Sequence, residues 1–176
     1  MNFMNRVIVA CCILLCTSVW KISAQDYPFR RADLPVEERV EDLVRRMTLE
    51  EKIAQIRHLH SWDVFDGQIL NQEKLDKMCG GIGYGFFEGF PLTAASCRKT
   101  FREIQTYMVE KTRLGIPGFP VAESLHGVVH EGTTIYPQNI AMGSTFNPEL
   151  AYEKTKHIAG ELNTMGVKQV LAPCID

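Results

Sequence analysis

Apolar and polar residues alternate along the chain in blocks that predict helices and strands in turn. From Leu34 onward, apolar residues recur at spacings of three and four, which is typical of an amphipathic helix. A second helix is predicted from Leu49, because Thr48 and Glu51 have the spacing of a capping box. We expect this helix to bury its apolar side chains, those of Leu49, Ile53 and Ile56.

Three apolar segments further along are predicted to be strands, and two long helices separate them. The strands are the glycine-rich segment 80–87, then residues 118–122 and 167–176. The helices are residues 93–113, which begin at a threonine cap, and 147–165, which begin with Asn-Pro and end before a glycine. Strand–helix–strand order favours parallel strands joined by right-handed crossovers. The sequence therefore predicts an α/β fold.

The segment that precedes the first predicted strand has a weaker pattern. Residues 63–71 are predicted to be a loop and residues 72–78 a short helix or turn. His58 and His60 could share one face of a strand and bind a metal ion. No third ligand is evident nearby, so we interpret them as loop histidines near the surface and predict no metal site.

The first 24 residues have the pattern of a secretory signal peptide. A short segment with one arginine precedes an apolar run at residues 7–20, and Ile22-Ser23-Ala24 resembles a cleavage site. The apolar run is shorter than the roughly 20 residues that span a bilayer. We therefore predict cleavage after Ala24, a secreted or periplasmic protein without a stable membrane span, and a leader at residues 25–33.

Composition narrows the classes of partner. The 176 residues carry a formal net charge of −2 and no basic cluster, which argues against a nucleic-acid partner. Three cysteines follow the signal segment, at positions 79, 97 and 174, and their spacing fits no zinc pattern. We expect them to be small buried residues, although a disulfide between Cys79 and Cys97 is also possible in an oxidising compartment.

Candidate chemistry follows the second predicted strand. Ligands of parallel α/β folds bind outside the carboxyl ends of the strands. Five polar side chains lie at this end, namely Glu123, Ser124, His126, His130 and Glu131. Ser124 lacks the glycines of a nucleophile elbow, which argues against a serine hydrolase. The spacing of Glu123 and His126 matches that of di-iron helix bundles, but this segment follows a strand and contains Gly127.

Several motifs in this order resemble one enzyme family. The segments are RVEDLVRRMTLEEKIAQI, RLGIPGFPVAESLHGV and TIYPQNIAMGSTFNPELAYEKTKHIAGELNTMGVKQVLAPCID. They are similar to the N-terminal barrel domain of glycoside hydrolase family 3, the β-glucosidases and β-xylosidases. The resemblance covers residues 34–176 and implies the N-terminal portion of a TIM-type (β/α)8 barrel. A complete barrel needs about 250 residues, so we expect an incomplete one with about three strands.

The resemblance also implies an activity. Members of the family hydrolyse terminal β-D-glucosyl or β-D-xylosyl residues without a cofactor and retain the anomeric configuration. They use two carboxylates, which in retaining enzymes lie roughly 5–5.5 Å apart. The family's nucleophile and acid/base lie on later strands and have no matching position in this chain. We therefore expect an N-terminal fragment of an exported β-glycosidase that has no catalytic residue and is inactive alone.

Four positions match the family's sugar-binding region. Glu123 matches the carboxylate before the His-Gly pair, which hydrogen-bonds hydroxyls of the bound sugar. Most β-glucosidases of the family carry Asp there, and Glu is more similar to the β-xylosidase and arabinofuranosidase branch. The resemblance implies that His126 and Gly127 shape the following turn and that Asp176, after the third strand, orients its neighbours.

Two other interpretations remain open at this point. The chain could be a short sugar-binding or interaction protein derived from the barrel, which would unfold cooperatively as a monomer or a swapped dimer. It could also belong to a different barrel enzyme that a partner chain completes. In that case activity would appear only when the two chains are mixed.

Overall fold

The computed structural model describes residues 27–88 and 93–173. The predicted signal peptide, Cys174 and Asp176 lie outside the described residues. The chain divides into two compact units between Arg46 and Met47. Within the described ranges, no helix is both long enough and apolar enough to cross a membrane.

The described part of the first unit is one helix with a short turn packed on it. The predicted helix is present as α1, Val36–Arg46, and a 3-10 turn at Pro28–Arg30 precedes it. The carboxylate of Asp42 on α1 joins the turn to the helix. It accepts a hydrogen bond from the Phe29 amide at 3.3 Å, and it also accepts from the Nε and Nη2 atoms of Arg46 at 2.9 Å each. Three valines remain exposed on this helix, Val36, Val40 and Val44.

The second unit is built on a four-stranded parallel sheet. Its strands are β1 (His58–His60), β2 (Phe86–Glu88), β3 (Phe119–Glu123) and β4 (Gln169–Leu171). They neighbour one another in chain order. A doubly wound sheet reverses its direction partway, whereas a β/α barrel adds each strand beside the last. The α/β class is confirmed, and this order is that of a barrel wall.

The sheet has one strand more than the sequence predicted. The additional strand is β1, so the interpretation of its two histidines as loop residues is wrong. Only its middle residue, Leu59, is apolar, so the segment has no apolar run that would signal a buried strand. The predicted strand at residues 80–87 is wrong for residues 80–85, which form a turn, an irregular stretch and a bend, and β2 begins only at Phe86.

The segment between β1 and β2 is more regular than predicted. In place of a loop at residues 63–71, a helical turn at Ser61–Val64 leads into an antiparallel pair, Phe65–Asp66 with Ile69–Leu70. The predicted short helix follows as α3, Gln72–Cys79, and Asn71 caps it by accepting a hydrogen bond from the Lys74 amide at 3.0 Å.

The two long crossover helices form as predicted. They are α4, Ala94–Lys111, between β2 and β3, and α5, Pro148–Met165, between β3 and β4. The hydroxyl of Thr93 caps α4, and the side chain of Asn147 caps α5. A shorter helix, Asn139–Gly143, precedes α5. Caps and apolar spacing are local signals, which explains why the sequence located these helices.

The core lies between the outer face of the sheet and these helices. The middle residues of β1 and β2, Leu59 and Phe87, are fully buried, and the ring of Phe87 meets that of Phe101 edge-on at 5.6 Å. Further core residues come from the helices and connections, including Val64, Leu75, Ile104, Met108, Ile158, Leu162 and Met165. The flanking residues of these two strands are thereby left for the opposite face.

Two of the three cysteines belong to this core. Cys79 and Cys97 are buried and free, so the possible disulfide between them is wrong, while the expectation of small buried residues is confirmed for both. Burial raises the pKa of Cys79 to about 12 and that of Cys97 to about 11. Both thiols are therefore protonated and unreactive at neutral pH.

Helix α2, Leu49–Gln55, presents the opposite face from the one expected. The capping box of Thr48 and Glu51 is confirmed. The predicted inward face is wrong, because the side chains of Leu49, Ile53 and Ile56 are exposed. The residues that turn inward are Glu51 and Ala54.

The buried Glu51 explains this orientation. Its carboxylate accepts hydrogen bonds from the Thr48 amide at 2.8 Å, from the Arg113 Nε at 2.8 Å and from the Arg113 Nη2. The Arg113 guanidinium is the main cause that lowers the pKa of Glu51, and the Thr48 amide adds to it against the opposing effect of burial. This bidentate pair connects α2 to the segment after α4.

Gly85 lies where the backbone at the end of α2 comes close to the backbone at the start of β2. Its amide donates to the Ala54 carbonyl at 3.0 Å, and the Phe86 amide donates to the Arg57 carbonyl at 3.3 Å. A Cβ atom at position 85 would lie only 1.9 Å from the Gln55 carbonyl oxygen. The absence of a side chain at this residue therefore allows the close backbone approach.

Replacing Glu51 by Gln should remove the charge from the Arg113 pair while keeping a residue that suits the capping box. We expect the free energy of unfolding at pH 7 to fall by about 2 kcal/mol, as for a hydrogen bond to a charged group. Because the folded-state pKa of Glu51 is lowered, its stabilisation is present above the ordinary Glu pKa and is lost as the pH falls through the folded-state value. Urea unfolding of both proteins across pH 2–7 measures this difference.

The neighbouring Glu50→Gln variant is the control, because Glu50 lies on the same helical turn and is exposed. It should have the smaller effect. Two results would contradict the role assigned to the Arg113 pair. One is an equal loss in the free energy of unfolding in the two variants. The other is a difference in this free energy between Glu51→Gln and the parent protein that stays the same at acidic pH.

Replacing Gly85 by Ala should force β2 away from α2, because the atom it meets is a backbone oxygen. We expect a loss of at least about 2 kcal/mol in the free energy of unfolding, as for overpacked sites. The control is Gly160→Ala in the middle of α5, where a Cβ meets nothing within 4 Å. That change should instead stabilise the protein by about 0.5–1 kcal/mol, because Ala is the better helix former. A loss of the same size in both variants, measured by urea unfolding, would argue against the close contact.

Candidate active site at the carboxyl edge of the sheet

A cavity of about 380 Å³ opens at the carboxyl edge of the parallel sheet. The last residue of each strand lines it, namely His60, Glu88, Glu123 and Leu171. The other lining residues are Trp62, Phe101, Val121, Ala122, Val128, Val129, His130, Met165 and Val167. This is the edge at which barrel enzymes bind their ligands. Its volume is within the range of small-molecule sites.

Two imidazoles and one carboxylate form a polar cluster on the first two strands. The Nδ1 atoms of His58 and His60 lie 3.1 and 3.3 Å from the Glu88 Oε1. Both nitrogens are buried, and neither is aligned with a hydrogen-bond partner within the described residues. The register that sets His60 opposite Glu88 brings the three groups together. The cluster holds the Glu88 carboxylate at the cavity wall.

An aromatic pair extends this cluster along the rim. The indole of Trp62 is parallel to the imidazole of His60, with ring centroids 4.4 Å apart and an angle of 7° between the planes. On its other side, the ring of His58 stacks on that of Phe86 at 5.1 Å. Trp62 is 69% exposed although it lines the cavity, so most of the indole surface remains accessible.

Glu123 is the second carboxylate of the cavity. It ends β3, pairs with Leu171 of β4 and is exposed at the cavity wall. The next residue, Ser124, is 4% exposed, and its Oγ has no hydrogen-bond partner within the described residues. Carboxylate oxygens are acceptors only, so Glu88 and Glu123 together suit a ligand that is rich in hydroxyl donors.

His126 and Gly127 shape the turn that follows Glu123. The His126 carbonyl accepts from the Tyr136 amide at 2.8 Å, and the His126 Nδ1 donates to the Tyr136 carbonyl at 3.0 Å. Gly127 has φ = 112°, and a Cβ there would lie 2.3 Å from the Thr134 carbonyl oxygen. The cavity lining includes neither residue, so the described structure gives them a role in the conformation of this loop, and sugar binding by them stays a prediction.

The same loop carries a further polar group into the cavity. His130 lines it, and burial lowers the pKa of this imidazole below its ordinary value, which favours the neutral ring. The loop is attached to α5, because the Thr134 amide and hydroxyl donate to the Glu161 carboxylate at 3.2 and 2.6 Å. His130 was named with the polar group after the strand, but its place in the cavity depends on this loop.

The other predicted site residue, Asp176, lies outside the described residues. Metal ligands were not expected. Within residues 27–88 and 93–173, no group of three or more His, Cys, Asp and Glu side chains is arranged to hold a metal ion.

Sequence reasoning located Glu123 but missed much of the cavity wall. Glu88 was assigned no role, and Trp62 was not singled out at all. The available signal was the alternation of polar and apolar residues around Leu59 and Phe87, which places His60 and Glu88 on one face of their strands. Segments this short do not establish such a pattern alone.

Comparisons with known proteins agree with this architecture. A putative β-xylosidase of Formosa agariphila is 29% identical over 86% of this chain, which spans 21% of that relative. A periplasmic β-glucosidase of Salmonella typhimurium is 26% identical over 78% of the chain, which spans 16% of it. The solved structure of a β-glucosidase from Erythrobacter marinus superposes with a TM-score of 0.71 at 26% identity, over 86% of this chain and 20% of that one.

These matches confirm the expected N-terminal portion of a glycosidase barrel. The chain spans about a fifth of the length of the relatives it matches. The sequence model described as the glycosyl hydrolase family 3 N terminal domain matches residues 48–176, most of the chain. The chain therefore belongs to glycosyl hydrolase family 3, within its N-terminal domain.

Proposed function

We propose that this chain is the N-terminal part of the barrel of an exported, retaining β-glycosidase, which hydrolyses terminal β-D-xylosyl or β-D-glucosyl residues without a cofactor. The observation that carries the proposal is the position of Glu123. Its carboxylate ends β3, is accessible in the cavity and directly precedes the turn formed by His126 and Gly127. The names of the relatives, a putative β-xylosidase and a β-glucosidase, support both sugars.

Glu123 binds the sugar and takes no part in covalent chemistry. The two oxygens of a carboxylate can accept hydrogen bonds from hydroxyls on adjacent carbons of a pyranose ring. Glu is one methylene longer than the Asp of most β-glucosidases in the family, so it reaches further beside the ring. That leaves less room for a hydroxymethyl group, which favours a pentose such as xylose. His130 lies in the same cavity, where its neutral imidazole can serve another hydroxyl.

The two reacting carboxylates lie beyond residue 176 of a longer protein. Relatives support this proposal by their length, since the chain spans only 16–25% of them. Glu88 is the other carboxylate of the described cavity, and we assign it no covalent role because its Oε1 faces two imidazoles. A glycoside held by Glu123 would present its anomeric carbon to groups from the later strands.

Export is the remaining part of the proposal. Residues 1–24 carry the pattern of a cleaved signal, and one relative is named a periplasmic enzyme. A secreted or periplasmic enzyme meets its glycosides outside the cytoplasm, which suits an enzyme that releases terminal sugars from oligosaccharides.

The decisive assay uses the protein encoded by the complete reading frame. It should hydrolyse p-nitrophenyl β-D-xyloside or β-D-glucoside, and proton NMR should show the β-anomer as the first product, as retention requires. Glu123→Gln should lower kcat/KM by about tenfold to a hundredfold, because one hydrogen bond to a charged group is worth about 1.5–3 kcal/mol.

Glu131→Gln is the matched control, since Glu131 is an exposed carboxylate of the same loop and is not among the residues that line the cavity. It should leave kcat/KM unchanged. Failure to hydrolyse both glycosides, or an α-anomer as first product, would overturn the proposed reaction. Turnover by the 176-residue chain alone would overturn the assignment of the reacting carboxylates to later strands.

A further inference from the structure

Trp62 is a large exposed aromatic side chain at the rim of the cavity. It is 69% exposed, yet its indole lies parallel to the His60 ring, 4.4 Å away. A single exposed hydrophobic residue is ordinary on a protein surface. Trp62 differs because it lines the same cavity as the carboxylates of Glu88 and Glu123.

The orientation of the indole is determined from two sides. The backbone of Trp62 lies in the turn directly after β1, and the next apolar residues, Val64 and Phe65, are buried in the core. Its ring rests on His60, whose Nδ1 lies 3.3 Å from the Glu88 Oε1. An aromatic ring supported in this way loses little conformational entropy when a ligand covers it.

We propose that the open face of the Trp62 indole stacks against a pyranose ring of the glycoside that occupies this cavity. This inference rests on the proposed function, and it adds the residue that recognises the apolar face of the sugar. His60 is a positioning residue, because it holds the indole plane and does not itself meet the ring.

Chemical complementarity supports a pyranoside as the ligand. A β-D-xyloside or β-D-glucoside has equatorial hydroxyls at its edge and axial C–H groups on its two faces. The face of an aromatic ring carries negative potential, which attracts polarised C–H groups. The cavity offers both requirements, an indole face from Trp62 and hydroxyl acceptors from Glu88 and Glu123. Most small-molecule sites combine apolar walls with a few polar groups in this manner.

The sequence permits a direct measurement of the stacking. The chain has two tryptophans, Trp20 and Trp62, so Trp20→Phe leaves Trp62 as the only tryptophan. This variant of the 176-residue chain is titrated with xylobiose and with cellobiose, and tryptophan fluorescence and calorimetric heat are recorded on the same sample. Xylitol, which has hydroxyls but no ring face, is the comparison ligand.

For one of the two disaccharides, we expect the change in Trp62 emission to give the same Kd as calorimetry. Xylitol should leave the emission unchanged. Calorimetry should show that Trp62→Ala raises the Kd at least tenfold, whereas Trp62→Phe raises it less. Tyr152→Ala is the control, because Tyr152 is 61% exposed on α5 and does not line the cavity. It should leave the Kd unchanged.

The His60 variants separate positioning from a general loss of structure. His60→Phe keeps a ring beneath the indole and should preserve the Kd, whereas His60→Ala should raise it. An equal rise in both variants would overturn the positioning role.

Two outcomes would overturn the stacking itself. The first is calorimetric binding that Glu123→Gln weakens, while the bound ligand does not change the Trp62 emission and Trp62→Ala does not change the Kd. This result would leave the proposed function intact. The second is the absence of binding to both disaccharides by either method. In that case the hydrolysis assay on the complete protein still decides the proposed function independently.

Discussion

The position of the cavity depends on how closely two backbones approach at Gly85. With no side chain there, β2 comes near enough to the end of α2 for its amides to bond the carbonyls of Ala54 and Arg57. Those bonds fix the register of β2 against β1, and with it the pairing of His60 with Glu88. A shift of β2 by one residue would turn the side chain of Glu88 towards the core. The polar cluster at the carboxyl end of β2 is thus a consequence of backbone packing at the amino end of the same strand.

The other wall of the cavity is fixed in a different way. The loop after β3 has no regular structure, and it is held by polar contacts: His126 pairs with Tyr136, and Thr134 binds Glu161 of α5. Gly127 allows the loop to fold back, since its backbone is left-handed and a Cβ would meet a carbonyl oxygen. One wall therefore follows from strand register and the other from a loop tied to a helix.

Much of this architecture could be predicted from sequence, and the failures have a common physical cause. The helices and their caps depend on neighbouring residues, so their patterns were sufficient. The inward face of α2 was wrong because the burial of Glu51 depends on Arg113, 62 positions away in the chain. Glu123 could be found because it follows an apolar strand. The roles of Glu88 and Trp62 could not, since they depend on how β1 lies beside β2.

The first two strands of the sheet each contribute a core residue and a cavity residue next to each other, as Leu59 precedes His60 and Phe87 precedes Glu88. Successive side chains of a strand point to opposite faces, so one residue of each pair can change without altering the surroundings of the other. During divergence, a mutation in a strand's last residue alters what the cavity accepts and leaves the packing of the helices untouched. A barrel of this design can therefore change the ligand that its cavity accepts one strand at a time while its core stays packed.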